Sequence, residues 1–525
     1  MNDINRMRRR SLGLWQGALA ALLLLGCSQV GASGPAGNGT NTPAENISSS
    51  SGTGATGAGT RLVAALVLGS NTVSPSSLRP AFDPTVHDYV IPCAAGTNTI
   101  SLEFDADPGI TAELLSPSKA PVSSGPLDIQ LLPDQAAVIQ IADATGAAQE
   151  YWIRCLPPDV PTITVTDHPL SGAPSSGWYL IADTLVPTDQ SGFAMIVDAH
   201  GTPVWYRRAP IGVVDVDRDA DNVVVFSREM STTGGQFEID NLAAGTSQFL
   251  GAVNAPTDHH EFQQLPNGHR FLIADPSTPG IDLTGLGGYG PGTTVTDCLI
   301  QEFDQTGALV WQWKASDHID PAKESSPAFV AGQTVVDAFH CNSVDVDGSG
   351  NLIVSARNMN SVFYLSKSDG HMGWKMGGSR YNKDGARFIQ IVNDPQTAFY
   401  GQHDVRFQSN GDISLFDDHT GMPGVARGVV YTLDMNAGTA QVTWQYLGSA
   451  SSAAMGSFRR YSDGSSVIGW GMVSQGPARI LTEVNASGQP LLELFFAAGQ
   501  SSYRALKYPL SAFDANLLRA FAGLP

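Results

Sequence analysis

The feature that most limits how this chain can fold is a repeat: a strand, a tight turn and a second strand. It occurs as HEFQQLPNGHRFLIA (260–274), HCNSVDVDGSGNLIVSA (340–356), HDVRFQSNGDISLFD (403–417) and GSFRRYSDGSSVIGWG (456–471), with a looser copy at 213–226. A companion pattern of strand, Gly turn and aromatic strand runs through 193–206, 298–313, 362–376 and 429–444, and puts Trp205, Trp311, Trp374 and Trp444 in equivalent places. Residues 479–496 read as a further copy without the tryptophan. Four short strands per unit, repeated along the chain, indicate blades of a β-propeller. With SGWYLIAD (176–183) closing the ring against the C-terminal strands, the count is six blades over 160–525. Long interruptions at 276–296 and 377–402 are expected to decorate one face and cover a pocket.

Composition agrees with an all-β chain. Glycine (56) and proline (32) are abundant and only 15% of residues are charged. Ahead of the propeller, residues 61–157 carry short alternating runs (HDYVI, TISLEF, AAVIQIA, EYWIRC) that predict a small antiparallel β-sandwich. The stretch LRPAFDPTVHDYVI with its closing YWIRC strand resembles the cadherin-like sandwich domains of bacterial envelope proteins. His87 there reads as structural, and the domain as a spacer or docking module.

The N-terminus reads as an export signal. Arg6, Arg8, Arg9 and Arg10 precede a short apolar run that ends in Leu24-Leu25-Gly26-Cys27, which resembles a lipobox. The expectation is a signal peptide over 1–26, acylation of Cys27, and a Gly/Ser/Thr-rich tether over 27–60. That predicts an exported lipoprotein, anchored in the outer membrane and facing the periplasm. The formal charge of −20 argues against nucleic acid and anionic membrane surfaces as partners. Setting Cys27 aside, Cys93, Cys155, Cys298 and Cys341 form an even set in an oxidising compartment, and the simplest pairing is local, Cys93 with Cys155 and Cys298 with Cys341.

The turns supply a register. His260 precedes Asn267-Gly268 by seven and eight residues, His340 stands in the same relation to Asp347-Gly348, and His403 to Asn410-Gly411. Gly456 holds that slot in the next copy. Equivalent strand entries in a propeller ring the channel mouth, so the three histidines should converge. Strand alternation sends His259 away from His260. Arg357 follows the strand NLIVSA and should fold back beside His340. His269, His371 and His419 read as structural, although His419 in FDDHTG could sit near the pocket. No carboxylate partner is visible in the repeat slot, so the set reads as an anion-binding mouth. Its guanidinium suits a tetrahedral oxyanion, and its imidazoles can act as base or nucleophile. Two other uses stay open at this point: a non-catalytic envelope propeller that binds a sulfated or anionic ligand, and a zinc-dependent hydrolase. The adjacent arginine and the lack of a short-spaced ligand pair weigh against the metal.

Taken in order, HHEFQQLPNGHRFLIA, FHCNSVDVDGSGNLIVSARNMNSVFYL, YGQHDVRFQSNGDISLFDDHTG and GSFRRYSDGSSVIGWG resemble the bacterial aryl-sulfate sulfotransferases over most of 160–525. The resemblance implies a six-bladed propeller behind a β-sandwich. The implied activity moves a sulfuryl group from a phenolic sulfate ester to a phenol acceptor, with no nucleotide donor and no cofactor. By position, His403 matches the nucleophile that becomes a sulfohistidine. His260, His340 and Arg357 match the residues that hold the sulfate oxygens and assist the leaving and attacking phenols. Asp404, facing away from its neighbour, is left out. The lipobox and the long interruptions depart from the family's usual pattern, so acceptor specificity does not carry over.

Overall fold

The computed structural model describes Ala65–Leu68 and residues 78–523, apart from 105–108, 124, 185–190, 210–211, 229–234, 474–475, 477 and 498. The expected signal peptide, Cys27 and tether lie outside the described residues. Among the described residues no helix is long and apolar enough to cross a membrane.

Short strands separated by Gly and Asx turns give an all-β, propeller-like fold. The sheets recur as four-stranded antiparallel meanders. One joins Val216–Ala220, Val223–Ser227, Phe237–Asn241 and Thr246–Leu250, and the next Thr257–Gln264, Arg270–Ala274, Leu299–Phe303 and Leu309–Lys314. Two further meanders start at Cys341–Val346 and His403–Phe407, and Arg387–Val392 bridges them by parallel pairing on both sides. Another, starting at Ser457–Arg460, takes Thr164–Asp167 as its outermost strand. Trp178–Ala182 pairs with Ala505–Tyr508, so residues from both ends of this region share one sheet, as the sequence predicts. Trp205, Trp311, Trp374 and Trp444 all lie on last strands of their meanders.

Period-two alternation explains why these sheets stack. On Val223–Ser227, Val224 and Phe226 pack with Leu180 and Ile196 of the preceding meander. Val223 and Val225 pack with Phe262 and Leu272 of the following one. The same division recurs on Leu352–Ala356. There Leu352 and Val354 join Phe271 and Ile273, while Ile353 joins Val405 and Leu415. Interior strands are therefore apolar on both faces and buried throughout, as in Gly192–Val197 and Leu352–Ala356. Each such Val, Ile or Leu contributes about 1.5–3 kcal/mol of burial.

The N-terminal residues form two sheets, one of Ala65–Leu68, Asn98–Phe104 and Gly125–Leu131, the other of five strands that include Asp88–Pro92 and Ala148–Leu156. Ile100, Leu102, Ile129 and Leu131 from the first share a core with Tyr89, Ile91, Ile139 and Ile141 from the second. Cys93 and Cys155 are bonded, with their Cα atoms 5.5 Å apart. Asp88 receives both ends of the Arg519 guanidinium (2.8 and 2.7 Å) from the helix Ala515–Phe521, and Arg154 donates to the carbonyl of Arg519 at 2.8 Å. Tyr206 donates to Asp134 at 2.6 Å. These polar ties join the N-terminal sheets to the propeller-like region.

The interruptions are not structureless. Within 276–296, Ser277–Ile281 and Thr293–Thr296 pair with each other, and the second also pairs with Val336–Asp337. Between Leu309–Lys314 and Val336–Asp337 run three one-turn helices, Ala315–His318, Pro321–Glu324 and Pro327–Val330, an insertion the repeat reading did not mark.

Candidate functional site

The three register histidines come together. The rings of His260 and His340 lie 4.8 Å apart, and those of His340 and His403 6.5 Å apart. Each comes from a different meander. His260 and His403 sit at β-bulges, where the register shifts between Thr257 and Phe262 and between His403 and Arg406, and His340 stands just ahead of one, between Cys341 and Ser343. A bulge turns a side chain out of the normal alternation and is common beside functional sites. It also explains a correction. His259 does not point away from His260; its ring stacks on it at 4.4 Å, because alternation fails inside the bulge. His340 has φ +52°, a left-handed conformation that costs a non-Gly residue energy. Its strand entry is held by the Cys298–Cys341 disulfide.

Gly456, in the fourth register slot, has φ +102°, and a Cβ there would collide with the ring of Phe416. That slot has no room for a side chain, which limits the ring of histidines to three.

The reading of an imidazole set without carboxylates is also corrected, because every one of the three has such a partner. Nδ1 of His260 lies 2.8 Å from both oxygens of Asp258. Nδ1 of His340 lies 2.5 Å from Asp337, and Nδ1 of His403 lies 2.7 Å from Asp418. At His403, with its Nδ1–H donated to Asp418, the ring keeps its Nε2 lone pair. His403 is 1% exposed. Burial first, then Arg357, His340, His260 and Arg504, hold its pKa well below 6.5, so it stays neutral. Burial pushes the Asp418 carboxyl up, and Arg357 opposes that push.

Arg357 returns beside His340 as expected: its backbone N–H donates to the His340 carbonyl at 2.9 Å. Its guanidinium lies 4.3 Å from the Phe329 ring centroid and donates to the Ala453 carbonyl at 2.9 Å. The buried Nε of Arg357 has no protein acceptor, which leaves one donor for an anionic ligand. Tyr503, which sequence reasoning missed, packs edge-on to His260 and His403 at 5.4 and 6.2 Å. Phe329 was missed too, since it stands on the insertion between meanders.

Below the histidines the inner strands are tied by a buried ionic network. Glu261 binds Arg406 and Arg504, both at 2.9 Å, and Asp404 binds Arg406 and Arg459, both at 2.8 Å. Asp215 pairs with Arg504 at 3.2 Å. Asp404 is therefore committed to arginines and does not orient His403. His419 is also structural, with Nε2 3.0 Å from the Pro423 carbonyl. Asp258, His259 and His260 present three possible ligand atoms within 4.8 Å of one another.

The family model Arylsulfotransferase (ASST) matches residues 167–504, well over half of the chain. The chain belongs to the arylsulfotransferase family. All four candidate residues of this arylsulfotransferase, His260, His340, Arg357 and His403, fall inside the matched span. No curated protein sequence matches it. Solved structures match weakly. A protein of unknown function from Bacteroides caccae is 11% identical over 63% of this chain and 99% of its own, with a TM-score of 0.41. The virginiamycin B lyase of Staphylococcus aureus is 10% identical over 67% and 94%, with a TM-score of 0.31. At these scores neither match bears on the function of this arylsulfotransferase.

Proposed function

We propose that this chain is a six-bladed propeller enzyme, with a β-sandwich ahead of the blades, that transfers a sulfuryl group between phenols by a ping-pong reaction. The observation that carries the reading is the convergence of three carboxylate-paired histidines and Arg357 from separate repeats. Nε2 of neutral His403 attacks the sulfur of an aryl sulfate ester. An N–S bond forms, the S–O(aryl) bond breaks, and the phenolate leaves with a proton from His260 or His340. The positive charge that develops on His403 is balanced by Asp418 at 2.7 Å. Arg357 and the other two histidines face the sulfuryl oxygens, where fixed donors lower the barrier because charge gathers there in the transition state. A second phenol then reverses the step and carries the group away. We further propose that the enzyme is exported, anchored through Cys27 and facing the periplasm.

The test uses p-nitrophenyl sulfate. Without acceptor, the protein should release one equivalent of nitrophenol and gain the mass of a sulfuryl group on the peptide that contains His403. Adding a phenol should then give turnover, and His403→Ala should abolish both. Saturable binding of the ester without any release would support a non-catalytic anion receptor instead. The Asp258–His259–His260 group keeps a metal-dependent hydrolysis in view. Release that needs zinc and no acceptor would establish it.

A further inference from the structure

A second histidine cluster lies away from the candidate site, and nothing in sulfuryl transfer uses it. His318 closes the helix Ala315–His318, His371 precedes the strand Met372–Gly377, and Asp384 lies in the loop beyond that strand. Nδ1 of His318 is 2.9 Å from Oδ2 of Asp384, and Nδ1 of His371 is 3.6 Å from the same oxygen. The three donor atoms lie within 4.8 Å of one another. A tetrahedral zinc ion with bonds of about 2.0–2.1 Å holds its ligand atoms roughly 3.3 Å apart. The two separations to Oδ2 of Asp384, 2.9 and 3.6 Å, bracket that value.

The surroundings fit a cation as well. The Asp384 side chain is only 8% exposed, and its Oδ2 also receives the Met372 backbone N–H at 3.0 Å, which fixes its direction. The His318 ring is stacked on Trp313 at 5.3 Å with 17° between planes, so its rotamer is held. His371 is 68% exposed, which leaves the fourth position to water. The nearby cation, Lys383, donates its ammonium to the Ser316 carbonyl at 3.0 Å. Two imidazoles and one carboxylate select a borderline divalent ion over calcium or magnesium.

We propose that His318, His371 and Asp384 bind a zinc-class divalent cation that braces the insertion over the candidate site. The three ligands come from three separate segments. The Asp384 loop is tied to the next helix, since the Lys383 N–H and the Lys375 ammonium both reach Glu324 of Pro321–Glu324 (3.3 and 2.7 Å). The following turn carries Phe329, which lies against Arg357. Cation binding therefore stiffens the insertion that holds Phe329 in place.

Calorimetric titration of the chelator-treated full chain with zinc chloride tests this independently of catalysis. One saturable equivalent is expected, and His371→Ala or Asp384→Asn should weaken it by about 100-fold or more, beyond what loss of a supporting partner costs. His371 is exposed, so its removal leaves the fold intact, and circular dichroism of the zinc-free variants checks this. Zinc should raise the melting temperature of the parent and not of His371→Ala. Cupric ion should quench the tryptophan stacked on His318, and Trp313→Phe should remove that component. No saturable zinc binding overturns the proposal. So does binding that survives both variants, or binding that is lost only in His260→Ala.

Discussion

Asp418→Asn tests whether the carboxylate behind His403 carries part of the chemistry. The contact is short, 2.7 Å from Nδ1 to Oδ2, and both side chains are almost completely buried. Asparagine keeps the volume and can still accept the Nδ1–H, but it removes the negative charge. When His403 takes the sulfuryl group its ring becomes cationic, with charge centres about 4 Å from the carboxylate. At an effective dielectric of about 20 that interaction is worth about 4 kcal/mol. At about 1.4 kcal/mol per tenfold, the first half-reaction should slow by roughly 10³-fold. Folding should respond differently. Burial already disfavours the Asp418 charge, so the neutral variant should unfold in urea at a midpoint no lower than the parent. The assay is single-turnover release of nitrophenol without acceptor, with urea unfolding run in parallel. A rate within tenfold of the parent refutes the role given to Asp418. A slow variant that has also lost stability would reduce Asp418 to a structural residue.

Arg357→Lys keeps the charge but loses the planar fork over Phe329, so sulfuryl transfer should fall by about 10²-fold; steady-state kinetics with a common phenol acceptor reads this. Burial and nearby cations hold His403 well below 6.5, whereas the unfolded chain titrates near ~6.5. Above that pH both states carry neutral His403 and the term vanishes. Below it the unfolded chain binds a proton that the folded chain refuses, so this residue's contribution falls by about 1.4 kcal/mol per pH unit. Buried carboxyls such as Asp215, raised to about 7, act in the opposite sense. The term is therefore read as the difference in urea stability between the parent and His403→Gln from pH 7.5 to 5, and a flat difference rejects it. Gly456→Ala adds a Cβ at φ +102° against Phe416 and should cost more than about 1 kcal/mol in thermal unfolding, with no gain of function.

The sheet order and the convergence of His260, His340 and His403 were legible because turn chemistry fixes strand register. An Asx-Gly pair at a constant offset locates the same backbone position in four of the meanders, whatever fills the strands. The sheet shared by Trp178–Ala182 and the C-terminal strand Ala505–Tyr508 was legible too, because SGWYLIAD reads as a strand outside the paired repeats. The direction of His259 was not legible. Period-two reasoning assumes an unbroken ladder, and the ladder is broken between Thr257 and Phe262. Phe329 was hidden differently, because it lies outside the repeat on an insertion that has no register.

The three carboxylates show where reading by register stops. The histidines share one offset from their turns, but their partners do not: Asp258 stands two residues before His260, Asp337 three before His340, and Asp418 fifteen after His403. Each meander reaches its histidine by a different path. The bulged strand itself supplies Asp258, the insertion's short strand Val336–Asp337 supplies Asp337, and the chain just past the paired strand Ile413–Asp417 supplies Asp418. Cross-strand pairing of His403 with Phe416 brings Asp418 alongside, a relation visible only once the hairpin register is known. What recurs is therefore a three-dimensional pair, an imidazole with its Nδ1 held by a carboxylate. The signal that could have found it is an aspartate placed within one hairpin of each register histidine, and not an aspartate at any fixed spacing.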